Sequence, residues 1–191
     1  MLRLFFALVP EAGQAAHLVA QAAPFVARLQ AQTVPAENLH ATLCFIGAVE
    51  EDKLPALRAV AAALRAGRAK LCFDTLEIWE KPKILCATAP AGAAAAPAEA
   101  LARDLGVALV AAGFTPDIKP FRAHFTLGRK VNAAQAGEAG IDFPRPLDES
   151  LLLRVDRFAL MSSRREGERS IYSVVDSWLL DARETQCFEE K

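Results

Sequence analysis

Two of the three histidines in this 191-residue chain stand in the same four-residue phrase, His40-Ala41-Thr42-Leu43 and His124-Phe125-Thr126-Leu127. Both phrases lie in short apolar runs that read as strands, and a strand turns residues i and i+2 to one face. Each copy therefore aims an imidazole and a hydroxyl the same way, with α-carbons about 6.6 Å apart at about 3.3 Å of rise per residue. An imidazole near its ordinary pKa of about 6.5 serves as acid or base at neutral pH. Two of them on opposite sides of a phosphorus atom permit in-line displacement: one deprotonates the attacking oxygen and the other protonates the leaving oxygen. Threonine hydroxyls can donate to the non-bridging oxygens, where negative charge must be held. A substrate already activated, such as a strained cyclic phosphodiester, then needs no metal. His40 and His124 are thus the candidate catalytic pair, with Thr42 and Thr126 as phosphate donors. A lone strand histidine is more often a surface or core residue, but recurrence of the whole phrase favours function. A metal site lacks a third ligand on these strands, since Glu37 is three residues from His40 and on the opposite face.

The elements that must hold these motifs follow from periodicity. Leu2–Val9 predicts a buried strand. Gln14–Gln30 repeats apolar residues at Ala15, Leu18, Val19, Ala22, Val26 and Leu29, the spacing of an amphipathic helix that Pro24 should kink or divide. The first motif strand is expected over Asn38–Gly47, with Leu39, Ala41, Leu43 and Phe45 on one face and His40, Thr42 and Cys44 on the other. A second helix starts near Asp52 and stops at Gly67. Lys70–Glu80 and Lys83–Ala89 read as a hairpin joined at Lys81-Pro82. An Ala/Pro/Gly-rich connection over Ala89–Ala98 leads to a third helix ending at Gly113. Lys119–Arg129 is the second motif strand, with Arg122, His124 and Thr126 on one face, and Leu151–Met161 and Ser170–Leu180 close the chain as strands. Strict alternation puts Arg129 opposite His124, so it reaches the motif face only if the strand bulges at Gly128. Arg122 needs no such help. The pattern implies a pseudo-duplicated α+β fold in one bilobal domain over residues 1–191: two mostly antiparallel sheets flanking a central cleft, with helices outside.

Composition narrows the class. With 53% hydrophobic and 24% charged residues the chain is globular rather than disordered. Its net charge of −1 supplies no global field for coating nucleic acid, although one RNA end could still be gripped. The four cysteines, Cys44, Cys72, Cys86 and Cys187, show no zinc-like spacing and read as reduced thiols. The apolar start is stopped by Pro10 and Glu11, too soon for a signal peptide, and no run approaches a membrane span. A soluble, cytoplasmic protein with no cofactor is expected.

These residues carry a family resemblance. Arg3-Leu4-Phe5-Phe6-Ala7-Leu8, Glu37-Asn38-Leu39-His40-Ala41-Thr42-Leu43 with Phe45-Ile46-Gly47, Pro82-Lys83-Ile84-Leu85, Pro120 through Arg129, and the tail from Gly167 to Leu180 with Tyr172 and Trp178 all fit one pattern. In order and spacing the chain resembles the 2H phosphoesterase superfamily, most of all its bacterial RNA 2′,3′-cyclic phosphodiesterases, long called 2′-5′ RNA ligases. The resemblance implies metal-independent opening of a terminal 2′,3′-cyclic phosphate on RNA to a 2′-phosphate; no stable protein partner is implied by the sequence, and a monomer is expected. It implies His40 as acid toward the departing 3′ oxygen, His124 as base for water, and Thr42, Thr126 and Arg129 on the phosphate, with Arg122 a further binding candidate. Two departures touch base stacking: the family often carries an aromatic where this chain has Gln32-Thr33-Val34-Pro35, and Trp where it has Cys86. Phe5, Phe6 and Tyr172 are the substitutes to consider. His17 reads as a surface residue, and Arg164–Arg169 as a charged loop within reach of RNA phosphates. The competing readings are ligation at the same site, a phosphodiesterase for a small cyclic nucleotide, and a non-catalytic RNA- or nucleotide-binding module.

Overall fold

The computed structural model describes residues 1–138, 140–167 and 169–181; Cys187 and Glu168 of the charged loop lie outside them. In chain order the elements are β1 (Leu2–Leu8), α1 (Ala12–Arg28), β2 (Gln32–Thr33), β3 (Ala41–Val49), α2 (Leu54–Ala63), β4 (Ala69–Trp79) and β5 (Ile84–Thr88). They continue as α3 (Ala96–Ala111), β6 (His124–Arg129), α4 (Ala134–Glu138), β7 (Arg145–Val155), β8 (Arg157–Glu166) and β9 (Arg169–Leu179). The strands form two sheets, ordered β3-β1-β8-β9 and β2-β6-β5-β4-β7. Every neighbouring pair in them is antiparallel, as the hairpin signals implied. No helix among the described residues is long and apolar enough to cross a membrane.

Four expectations are corrected. The stretch read as one strand over Leu151–Met161 is two: β7 ends at Val155, Asp156 breaks the ladder, and β8 starts at Arg157 in the other sheet. Apolar character is continuous because both halves face the core, so composition alone hides the change of sheet. The second motif strand is shorter than Lys119–Arg129 and begins at His124 itself. Pro120 cannot donate to a ladder, and upstream of it Asp117 N–H donates to Phe45 O of the first motif strand at 2.8 Å. The first motif strand begins at Ala41, after a 3₁₀ turn over Ala36–Asn38, so His40 stands at its mouth. Lastly, Pro24 does not divide α1, which runs through it as one element. Pro24 and Ala20, whose carbonyl loses its usual donor, are both exposed, so water can replace the missing bond.

Helices cross between the sheets. α1 leaves β1 of the first sheet but packs on β6 and β7 of the second, burying Ala15, Leu18, Ala22 and Val26. α3 leaves β5 of the second sheet and packs on β3 of the first and on α2, burying Leu101, Leu105 and Leu109. The main core therefore runs through both sheets as one cluster that includes Leu4, Phe6, Leu85 and Phe125. A smaller cluster, Phe5, Ala7, Ala159 and Met161 with Phe45 and Tyr172 against it, lies on the cleft side of the first sheet.

Candidate active site

Each motif strand carries a one-residue irregularity in the same place. In β3, Thr42 faces Ala7 and Cys44 faces Phe6, so Leu43 is the extra residue. In β6, Thr126 faces Cys86 and Gly128 faces Leu85, so Leu127 is the extra residue. A bulge of this kind reverses the alternation beyond it. The expected partition of the first motif is corrected accordingly: Cys44 turns into the core and Phe45 turns to the cleft side beside Phe5. In the second motif the same reversal carries Arg129 onto the face of His124, because Arg129 pairs with Ile84, His124 with Thr88, and Ile84, Cys86 and Thr88 alternate on one face of β5. The reason for Gly128 is close approach rather than a special backbone angle. A Cβ there would lie 3.3 Å from Ala31 Cβ and 3.4 Å from Val26 Cγ2, where α1 presses on the bulge.

Both imidazoles are held alike. His40 Nδ1 lies 2.7 Å from Asn38 O and His124 Nδ1 lies 2.8 Å from Arg122 O, in each case the carbonyl two residues upstream. A carbonyl only accepts, so Nδ1 carries the proton and Nε2 is left with its lone pair in the neutral ring. Thr42 and Thr126 are half-buried, and neither hydroxyl has a hydrogen-bond partner among the described residues.

The surroundings differ. His40 sits among aromatics, its ring centroid 4.8 Å from Phe5 and 4.7 Å from Tyr172, while Phe6 is buried on the far side against Phe158 and Trp178. Burial pushes its pKa down to about 4; the Asn38 carbonyl opposes this, and the charges of Arg129 and His124 add to it. His124 sits in a polar network. Its ring lies 4.5 Å from Trp79, whose indole N–H donates to Glu77 Oε2 at 2.9 Å. Glu77 also accepts from Thr88 Oγ1 at 2.9 Å and from Arg122 Nη2 at 2.5 Å, and the Arg122 guanidinium lies over Trp79 at 4.7 Å. Burial works to raise the Glu77 carboxyl, but the bonds from Trp79 and Thr88 and the Arg122 charge hold it below the usual carboxylate range. Burial also lowers His124, helped by Arg122 and Arg129, while the Arg122 carbonyl and the charge of Glu77 resist. Beneath this layer the fully buried Cys86 thiol is pushed up to about 12, by burial first and then by Glu77.

The structure thus brings His40, His124 and Arg129 within electrostatic reach of one another, and engages Arg122 with Glu77 and Trp79. His17 lies at the surface, 3.2 Å from Glu149. Glu77 and Trp79 were not found from the sequence. Their i, i+2 spacing puts them on one face of a strand, but only the register of Glu77 with Cys86 and Trp79 with Ile84 shows that it is the face of His124. Among the described residues, no three His, Cys, Asp or Glu side chains converge to hold a metal.

Two antiparallel sheets, each carrying one His-x-Thr motif, make up the α+β fold seen in LigT-like phosphoesterases. The comparisons agree. The sequence profile of the family described as "LigT like Phosphoesterase" matches residues 7–85. Escherichia coli LigT, crystallised with 3′-AMP, is 26% identical at a TM-score of 0.80, covering 94% of this chain and 98% of that one. The Thermus thermophilus protein TT0787 is also 26% identical, at a TM-score of 0.68, covering 95% of this chain and 100% of its own. The phosphodiesterase domain of MHV ns2 shares the fold alone, at 15% identity and a TM-score of 0.54, covering 84% of this chain and 99% of that one. No curated protein sequence gives a significant match. The chain resembles the LigT-like phosphoesterases in sequence over residues 7–85 and shares the LigT fold over 94% of its length.

Proposed function

We propose that this protein hydrolyses 2′,3′-cyclic phosphodiester ends of RNA to 2′-phosphomonoesters, without a metal ion. The observation that carries the reading is the pair of imidazoles tethered through Nδ1 to main-chain carbonyls, each with a Thr hydroxyl two residues on and Nε2 left for proton transfer. A water oxygen forms a bond to phosphorus as its proton passes to one Nε2, and the bond to O3′ breaks as the other Nε2–H protonates that oxygen. Thr42, Thr126 and Arg129 hold the non-bridging oxygens, which stay charged throughout. Arg122 supports the second motif through Trp79. Following the family resemblance, His40 is the acid and His124 the base. Both rings have lowered pKa values in the free protein, so the acid takes up its proton as the anionic phosphate enters and replaces the solvation that an imidazolium lacks. The ligands of E. coli LigT, 3′-AMP and phosphate, are those expected of a site for ribonucleotide phosphates.

The test is a short RNA ending in a 2′,3′-cyclic phosphate, incubated with the enzyme in EDTA, alongside His124→Ala. Release of a 2′-phosphate by the unmutated protein alone is expected, read by phosphorus NMR and by new sensitivity of the terminal phosphate to phosphatase. No product, or product only on adding a divalent cation, would overturn the reading.

A further inference from the structure

Beside the cleft lies a second concavity of 880 Å³, bounded by the β4–β5 turn and the residues that follow β6. Its size falls in the range of roughly 300–1,000 Å³ typical of small-ligand pockets. Lys81, Lys83, Arg129 and Lys130 line it against a single acid, Glu80. In a protein whose net charge is −1, that is a local concentration of positive charge. The lining also includes aliphatic side chains, the partly exposed Ile78 and the buried Ile84 and Val131.

The wall is built rather than incidental. Lys83 and Lys130 hold φ values of 65° and 56°, a left-handed conformation uncommon in residues with long side chains. Val131 N–H donates to Lys83 O at 3.0 Å, which ties the two turns together across the end of the β5–β6 pair. Unfavourable backbone held in place by its surroundings gathers at ligand clamps. Arg129 links the concavity to the motif histidines: it lines this pocket and stands on the face of β6 that carries His124.

We propose that this pocket is a second nucleotide subsite, taking the nucleotide 5′ to the one that bears the cyclic phosphate. Its internucleotide phosphate meets Lys81 and Lys83, and its base lies against Ile78, the partly exposed aliphatic side chain of the lining. The favoured substrate is then an oligoribonucleotide and not a nucleoside 2′,3′-cyclic phosphate. This rests on the cyclic-phosphate reading above and adds to it a length requirement and a place in the fold that enforces it.

The experiment compares kcat/KM for a nucleoside 2′,3′-cyclic phosphate with that for a dinucleotide carrying the same terminus. It uses the unmutated protein and Lys81→Gln/Lys83→Asn, the asparagine chosen because it tolerates the left-handed conformation. The unmutated protein is expected to favour the dinucleotide by roughly tenfold, the effect of one charge-assisted hydrogen bond. The double variant should lose that preference while its turnover of the mononucleotide stays unchanged. A neutral methylphosphonate at the internal linkage should reproduce the loss in the unmutated protein. The slope of log(kcat/KM) against log salt should flatten by about 0.7 per phosphate contact removed. Equal preference in both proteins, or one that survives the methylphosphonate, would overturn the subsite. If the unmutated protein opens neither substrate, the proposed reaction falls, and calorimetry with a dinucleotide 3′-phosphate still judges the pocket. Weaker binding by the double variant supports the subsite, and equal binding overturns it.

Discussion

The first motif lies in an aromatic setting and the second in an ionic one, although both have the same backbone. Each places a histidine ahead of a threonine, ties Nδ1 to the carbonyl two residues back, and inserts a bulge after the threonine. Five residues beyond the histidine the bulge delivers Phe45 in one lobe and Arg129 in the other. Phe5 and Tyr172 enclose His40, whereas Trp79, Glu77 and Arg122 enclose His124. Repetition of the backbone supplies two imidazoles at matched positions, and divergence of the neighbours makes them chemically unequal. Pairs of titratable groups set in unlike surroundings are how one site holds an acid and a base at one pH.

The largest way to break the comparison is to delete one member. His40→Ala and His124→Ala should each lose about 10²–10⁴-fold in kcat, and the double variant little more, since the two act on one transition state. Circular dichroism should show both folded. Arg129→Met removes the one cation the bulge brings to the motif face; a fall of roughly 10–100-fold in kcat/KM is expected, against a smaller loss for Phe45→Leu. If the two substitutions were equivalent, the lobes would not be specialised as described.

The role of each histidine can be read separately. Burial lowers both rings, bringing His40 down to about 4, and at His124 the Glu77 charge opposes that lowering. A substrate with sulfur in place of the bridging O3′ needs no acid, so whichever histidine variant it rescues marks the acid. Glu77→Gln should shift the pH profile with a modest loss of rate. The carboxylate's charge raises the His124 pKa, so its removal moves the limb belonging to His124 to lower pH, an effect that mere loosening of the fold would not produce. The smallest effect is on stability. The His40 pKa is lowered from 6.5 to about 4, so the unfolded chain binds more protons between those values and stability falls as pH drops through that window. His40→Phe should flatten this part of the urea midpoint against pH, and an unchanged slope would show that His40 is not buried as described.

The motif residues were legible because their chemistry and spacing are local: a strand puts His and Thr of one phrase on one face whatever the tertiary fold. Arg129 was half legible. The glycine beside it marked an irregularity, but the extra residue is Leu127, and Gly128 is needed for the approach of α1. The place of Cys44 and Phe45 could not be read, because no glycine or proline interrupts Thr42–Phe45 and only pairing with β1 reveals the bulge at Leu43. Glu77 and Trp79 were invisible for a related reason. Alternation places them together, while strand register, a non-local property, decides what they face.

The exchange of helices between the sheets bears on how such a chain can be taken apart. A gene split between the motifs, after α2, would yield a front half in which α1 has no β6 or β7 to cover, and a back half in which α3 has no β3. Neither fragment would be a smaller enzyme with one histidine. Mixed together, each holds the missing lid of the other, so the halves are suited to reassemble and regain activity as a pair.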